Sequence, residues 1–95
     1  MAPPAILTAE EIEAALTGIP AWKLAGGKLA RTFVYSNFVE AFGFMTRVAL
    51  LAERADHHPD WSNSYKTVEV SLMTHQVGGL TTKDTSLAKQ IDAVA

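Results

Sequence analysis

Along this chain the spacing of apolar residues switches between helical and strand period, and a capping or turn residue marks each switch. Thr8-Ala9-Glu10-Glu11 has the form of a capping box, in which the Thr hydroxyl accepts from the Glu11 amide. Ile12, Ala15, Leu16 and Ile19 follow at helical spacing, and Gly18 and Pro20 end this first helix. Trp22 to Ala25 is a short apolar stretch before Gly26-Gly27, a two-residue hairpin signal. In the next run Leu29, Arg31, Phe33 and Tyr35 fall on one side and Ala30, Thr32 and Val34 on the other, which is strand period. Arg31 among aromatics reads as a side chain that snorkels along the sheet.

Asn37-Phe38-Val39-Glu40 opens the longest helix, expected from Phe38 to Asp56. Residues including Phe38, Ala41, Phe42, Phe44, Val48, Ala49 and Ala52 cover about half of its circumference. Val39 and Leu50 fall on the other side, among charged residues. A second apolar surface in a protein this small predicts a partner, most simply a second copy. His57-His58-Pro59 ends the helix, because proline disfavours helical geometry in the residue before it. Trp61 to Tyr65 reads as a short strand. Thr67 to Thr74 is the clearest strand, with Val68, Val70 and Leu72 on one face. Gly78-Gly79 makes a loop, and Thr81-Thr82-Lys83-Asp84 opens a last helix that turns Leu87, Ala88, Ile91 and Val94 inward. The order α-β-β-α-β-β-α lacks the βαβ rhythm of a parallel sheet. It predicts an α+β fold, an antiparallel sheet with helices on one face. Residues 1–95 make a single domain, with residues 1–7, which contain Pro3-Pro4, as a flexible arm.

Composition narrows the possible functions. A chain of 95 residues buries only roughly 60–65% of its unfolded surface, so association would help its thin core. Hydrophobic content of 48% with 19% charge is globular rather than disordered. A net charge of −2 offers no basic field to nucleic acid or anionic membrane. Without cysteine there are no disulfides, thiolate ligands or cysteine nucleophiles. No signal-peptide pattern and no apolar run of membrane-spanning length is present, so the expected location is cytoplasmic.

The candidate chemistry lies in the histidines. All three, His57, His58 and His75, fall in one span of the chain, with Glu53 and Asp84 near them in sequence. Imidazole changes charge near neutral pH. Glu53 and His57 are four apart on a helix, so the carboxylate could hold the ring. The negative end of the helix dipole favours the protonated form of His57 and His58. His75, at a strand end, could face them and complete an acid–base set. Other accounts fit the residues singly: a histidine near a helix end is commonly a cap, and Asp84 is explained as the capping partner of Thr81. The three histidines could also ligate zinc in a metal-dependent hydrolase, although adjacent ligands converge awkwardly on one ion.

The spacing of Glu53, His57-His58-Pro59, Tyr65, His75 and Asp84 resembles the signature of the pterin-4a-carbinolamine dehydratases. Trp22, the Leu29-x-Arg31-x-Phe33-x-Tyr35 strand, Trp61, Val68-Glu69-Val70, Thr74-His75 and Gly79-Leu80-Thr81 agree with it, and the resemblance runs from about Thr8 to Asp92. Met73 and Gln76 depart from it where a hydroxyl and an acidic residue are expected. The resemblance implies a four-stranded antiparallel sheet with three helices on one side, assembled as a homodimer or homotetramer. It implies dehydration of 4a-hydroxytetrahydropterin to quinonoid dihydropterin, in tetrahydrobiopterin recycling, with no metal and no other cofactor. His57 and His75 would be the acid–base groups, with His58 positioning substrate or sharing proton transfer. Glu53 and Asp84 would orient imidazoles, while Trp61 and groups around Thr74 would contact the pterin. The alternative is an oligomeric binding module, as in animal members that act as dimerisation cofactors for a transcription factor.

Overall fold

The structure, a computed structural model, describes residues 4–95. Its elements are α1 (Ala9–Leu16), β1 (Lys23–Ala25), β2 (Lys28–Val34), α2 (Phe38–Ala55), β3 (Asp60–Ser64), β4 (Thr67–Leu72) and α3 (Thr82–Val94). The strands form one sheet in the order β1-β2-β4-β3, and every neighbouring pair is antiparallel. Three helices and a four-stranded antiparallel sheet give the α+β fold that the pattern predicts.

The register explains the core. Leu29 lies opposite Leu72, Arg31 opposite Val70 and Phe33 opposite Val68, so one face of β2 and β4 is apolar apart from Arg31. Against it α2 buries Ala41, Phe44, Val48 and Ala52, a stripe at helical spacing. Phe33 and Phe44 stack with ring centroids 4.5 Å apart. Leu87, Ala88 and Ile91 of α3 close the layer. Arg31 does more than snorkel. Its Nη1 lies 2.6 Å from Asp92 Oδ1, which also accepts from Trp22 Nε1 at 2.8 Å, and its guanidinium sits 4.3 Å from the Phe33 ring centroid. Two buried-edge donors converging on one carboxylate pin α3 to the sheet.

The buried stripe of α2 is narrower than the apolar half of its circumference. Phe38, Phe42 and Ala49, expected to face the sheet, are exposed, and Phe38 packs on Phe42 instead. Together with Val39, 79% exposed, and Leu50, 69% exposed, they extend the outward apolar surface. The physical reason is geometric: only one side chain per turn or so can reach a sheet whose facing positions are already filled by Phe33, Val68 and Leu72.

The N-terminal segment is partly tied down. Residues 1–3 of the expected arm lie outside the described residues. Leu7 N–H donates to Leu80 O at 2.8 Å and its side chain packs against the core, while Ile6 covers Gly79. No helix among the described residues is long and apolar enough to cross a membrane.

Candidate active site

Helix α2 ends at Ala55, one residue short of the expected Asp56, and the way it terminates builds the site. Asp56 adopts the left-handed conformation (φ 50°). His57 N–H then bonds back to Ala52 O at 3.1 Å and Asp56 N–H to Glu53 O at 3.2 Å, the Schellman pattern that satisfies the last helical carbonyls. His57 is thereby placed by the helix's own terminator, with its ring turned under the domain and only 9% exposed.

Its partner comes from α3. Asp84, fully buried, is the third residue of that helix and closes a capping box with Thr81. Its Oδ2 accepts from Thr81 N–H at 3.0 Å and from the Thr74 hydroxyl at 2.7 Å, and its Oδ1 lies 2.6 Å from His57 Nε2. The Thr74 hydrogen is committed to Asp84, so Thr81 Oγ1, 2.7 Å away, donates to Thr74 while accepting from Lys83 N–H. A carboxylate that accepts from every side requires Nε2 of His57 to carry a proton. The nitrogen without a hydrogen-bond partner among the described residues is Nδ1. Asp84 is thus both the cap and the imidazole's partner, two roles that the sequence offers as alternatives.

The other two histidines repeat the motif at the surface. His58 Nε2 lies 2.7 Å from Glu53 Oε1, so Glu53 holds His58 and not His57 as the four-residue spacing suggests. The left-handed turn at Asp56 swings His57 inward, off the face it would share with Glu53 on a continued helix. His75 sits in a tight loop in which Thr74 O accepts from Val77, Gly78 and Gly79 N–H and Thr74 N–H donates to Gly79 O. Its Nε2 lies 3.0 Å from Asp60 Oδ2, an oxygen shared with Lys28 Nζ at 3.3 Å. Desolvation pushes the Asp60 carboxyl up, but Lys28 and then His75, by hydrogen bond and charge, hold it below its ordinary value.

Asp60 is the residue that sequence reasoning missed. Its signal was present in Pro59-Asp60-Trp61, beside the histidine pair, but its partner is fifteen residues away and is reached only through the β3–β4 pairing. Thr74, expected to contact substrate, has its hydroxyl, N–H and carbonyl engaged within the protein, where they support Asp84 and the His75 loop. Trp61 is half-buried on the inner side of β3, opposite Val70, packed against the core. It also borders a concavity of about 670 Å³ on the open face of the sheet, whose rim includes Lys23, Thr32, Asp60, Glu69 and Ser71. Among the described residues no three His, Asp or Glu side chains gather in a metal-holding cluster.

An antiparallel sheet backed by helices, with imidazole–carboxylate pairs near the ends of α2, β3 and β4, defines a small α+β domain of one recognisable class. Comparison with known proteins places it further. The family model of pterin 4 alpha carbinolamine dehydratase matches residues 5–94. A protein of Afipia carboxidovorans named "Putative pterin-4-alpha-carbinolamine dehydratase" is 56% identical over 92 residues, 95% of this chain and 92% of that one. A Rhodopseudomonas palustris protein of the same name is 56% identical, covering 94% and 90%. A crystal structure of a transcriptional coactivator/pterin dehydratase from Brucella melitensis superposes with a TM-score of 0.93 at 39% identity, over 96% of this chain and 99% of that one. A pterin dehydratase-like protein identified as a RuBisCO assembly factor in the alpha-carboxysome shares the fold, with a TM-score of 0.68 at 22% identity over 79% and 89%. The chain belongs to the pterin-4-alpha-carbinolamine dehydratase family.

Proposed function

We propose that this protein dehydrates 4a-hydroxytetrahydropterin to quinonoid dihydropterin and water by histidine acid–base catalysis, in tetrahydrobiopterin recycling in the cytoplasm. The observation that carries the proposal is that each imidazole is held at Nε2 by its own carboxylate, leaving Nδ1 for substrate. In the reaction the C4a–O bond breaks and the hydroxyl leaves as water after taking a proton from one imidazolium. The N5–H proton passes to a second, neutral imidazole as the C4a–N5 double bond forms, so the enzyme ends with its proton count unchanged. His57 and His75 are assigned to these two tasks, and His58 to positioning or shared transfer. Burial of both ring and carboxylate sets the His57–Asp84 pair apart from the exposed His75–Asp60 pair, and unlike environments suit acid and base roles in one turnover.

The test is a stopped assay of 4a-hydroxytetrahydropterin, generated in place by an aromatic amino acid hydroxylase. The protein should accelerate its dehydration, and a chelator should leave the rate unchanged. No acceleration by folded protein would sink the assignment. The second reading, an oligomeric binding module, is favoured by the outward stripe of Phe38, Val39, Phe42 and Leu50. That stripe also suits the homodimer or homotetramer we propose for the enzyme itself. Leu50→Glu should then lower the mass in solution measured by light scattering, and an unchanged mass would refute association through α2.

A further inference from the structure

We infer that Asp60 is a positioning residue for His75, fixing the orientation of that imidazole as Asp84 fixes that of His57. The inference rests on the dehydratase assignment of His75 and extends it to a residue outside the recognised set.

Four observations support it. First, the Asp60 backbone is located by the sheet. It opens β3 directly after Pro59, lies opposite Ser71 of β4, and its carbonyl accepts from the Ser71 hydroxyl at 3.2 Å. Second, its carboxylate is located by two donors on one oxygen, His75 Nε2 at 3.0 Å and Lys28 Nζ at 3.3 Å. Lys28 opens β2, on the far side of β4 from Asp60, so the pair spans the central strand. Third, Lys28 and His75 hold the carboxyl below its ordinary value despite its partial desolvation, so it stays ionised through neutral pH. Fourth, the His75 ring makes no other hydrogen bond among the described residues. Its loop is fastened at Thr74, one residue before it, by backbone bonds that do not reach the ring, which is 59% exposed. Such a ring loses its orientation when its one partner is removed, whereas the buried His57 ring is also held by packing.

The simplest contrary account is a surface ion pair with no bearing on turnover, since the side chains are 59% and 50% exposed. A double-mutant cycle separates the two. Asp60→Ala should lower kcat about two- to fivefold, the range that an exposed charged pair commands, with KM unchanged. In a His75→Ala background the same change should have no further effect, and Asp60→Glu should restore most of the rate. An equal loss in the His75→Ala background, or no loss in the single variant, would overturn the inference. Imidazole 15N spectra read the same contact without turnover: His75 should hold its proton at Nε2 in the parent and become a tautomer mixture in Asp60→Ala. An unchanged His75 spectrum would overturn the inference as well. A tautomer change in a protein with no dehydratase activity would remove the assignment of function and leave the Asp60–His75 coupling standing.

Discussion

Asp84→Ala should cost this domain about 3–5 kcal/mol of stability, because it removes one partner of a buried, hydrogen-bonded pair. Three donors lose their acceptor at once: the Thr74 hydroxyl, the Thr81 amide and His57 Nε2. None can turn to water, since Thr74, Thr81 and His57 are all buried. Chemical denaturation would show the loss as a lower midpoint at constant slope. A domain of this size has only about 5–14 kcal/mol to lose, so the variant should be marginal. Asp84→Asn separates the fold from the chemistry. The amide has nearly the same shape and can still accept on one side, so the fold should survive. Its NH2 on the other side must meet either the Thr donors or His57 Nε2. If it faces Nε2, that nitrogen becomes the acceptor and the proton moves to Nδ1, which closes the nitrogen that substrate needs. A folded Asp84→Asn protein should therefore be slower by about a hundredfold or more, the scale of a lost acid–base group. Full activity in that variant would show that the His57 tautomer plays no part in the reaction.

The elements of this fold were legible because local rules and tertiary packing agree. Thr8, Asn37 and Thr81 cap the helices where the capping pattern puts them. Gly26 and Gly27 take the positive φ that a two-residue hairpin needs. Legibility stopped where geometry depends on a single residue leaving its usual region. The spacing ends α2 at Asp56, within one residue of its last helical residue Ala55, but nothing in it announces that Asp56 turns left-handed, and that one residue decides that Glu53 meets His58 and that His57 turns inward. The same limit applies to pairings across the sheet. The His57–Asp84 and His75–Asp60 contacts link residues 27 and 15 apart. The first could be suspected because the dehydratase pattern includes Asp84, whereas the second appears only once β3 and β4 are in register. The outward stripe on α2 is half legible: Val39 and Leu50 fall on it by spacing alone, but Phe38 and Phe42 separate from the core only once the filled positions of the sheet are known.

His75→Ala should reduce kcat about a hundred- to ten-thousandfold while leaving the fold intact, the range a positioned acid or base commands. The separation of effects is the informative part. His75 is largely exposed and touches the rest of the protein, among the described hydrogen bonds, only through Asp60. Removing an exposed side chain usually changes stability by less than about 0.5 kcal/mol. Its thermal unfolding should therefore overlay that of the parent protein. His57→Ala makes the contrast, because it leaves the buried Asp84 carboxylate without one of its donors and should lose stability and rate together. A bell-shaped pH–rate profile requires two titrating groups, so the His75→Ala protein should lose one limb and keep the other. Added imidazole should recover part of the rate, since the truncated side chain leaves space open to solvent from which a small base can enter. A His75→Ala protein with parental kcat would remove this histidine from the chemistry. The proton exchange would then have to run between His57 and His58, adjacent in the chain and held by carboxylates from two different helices.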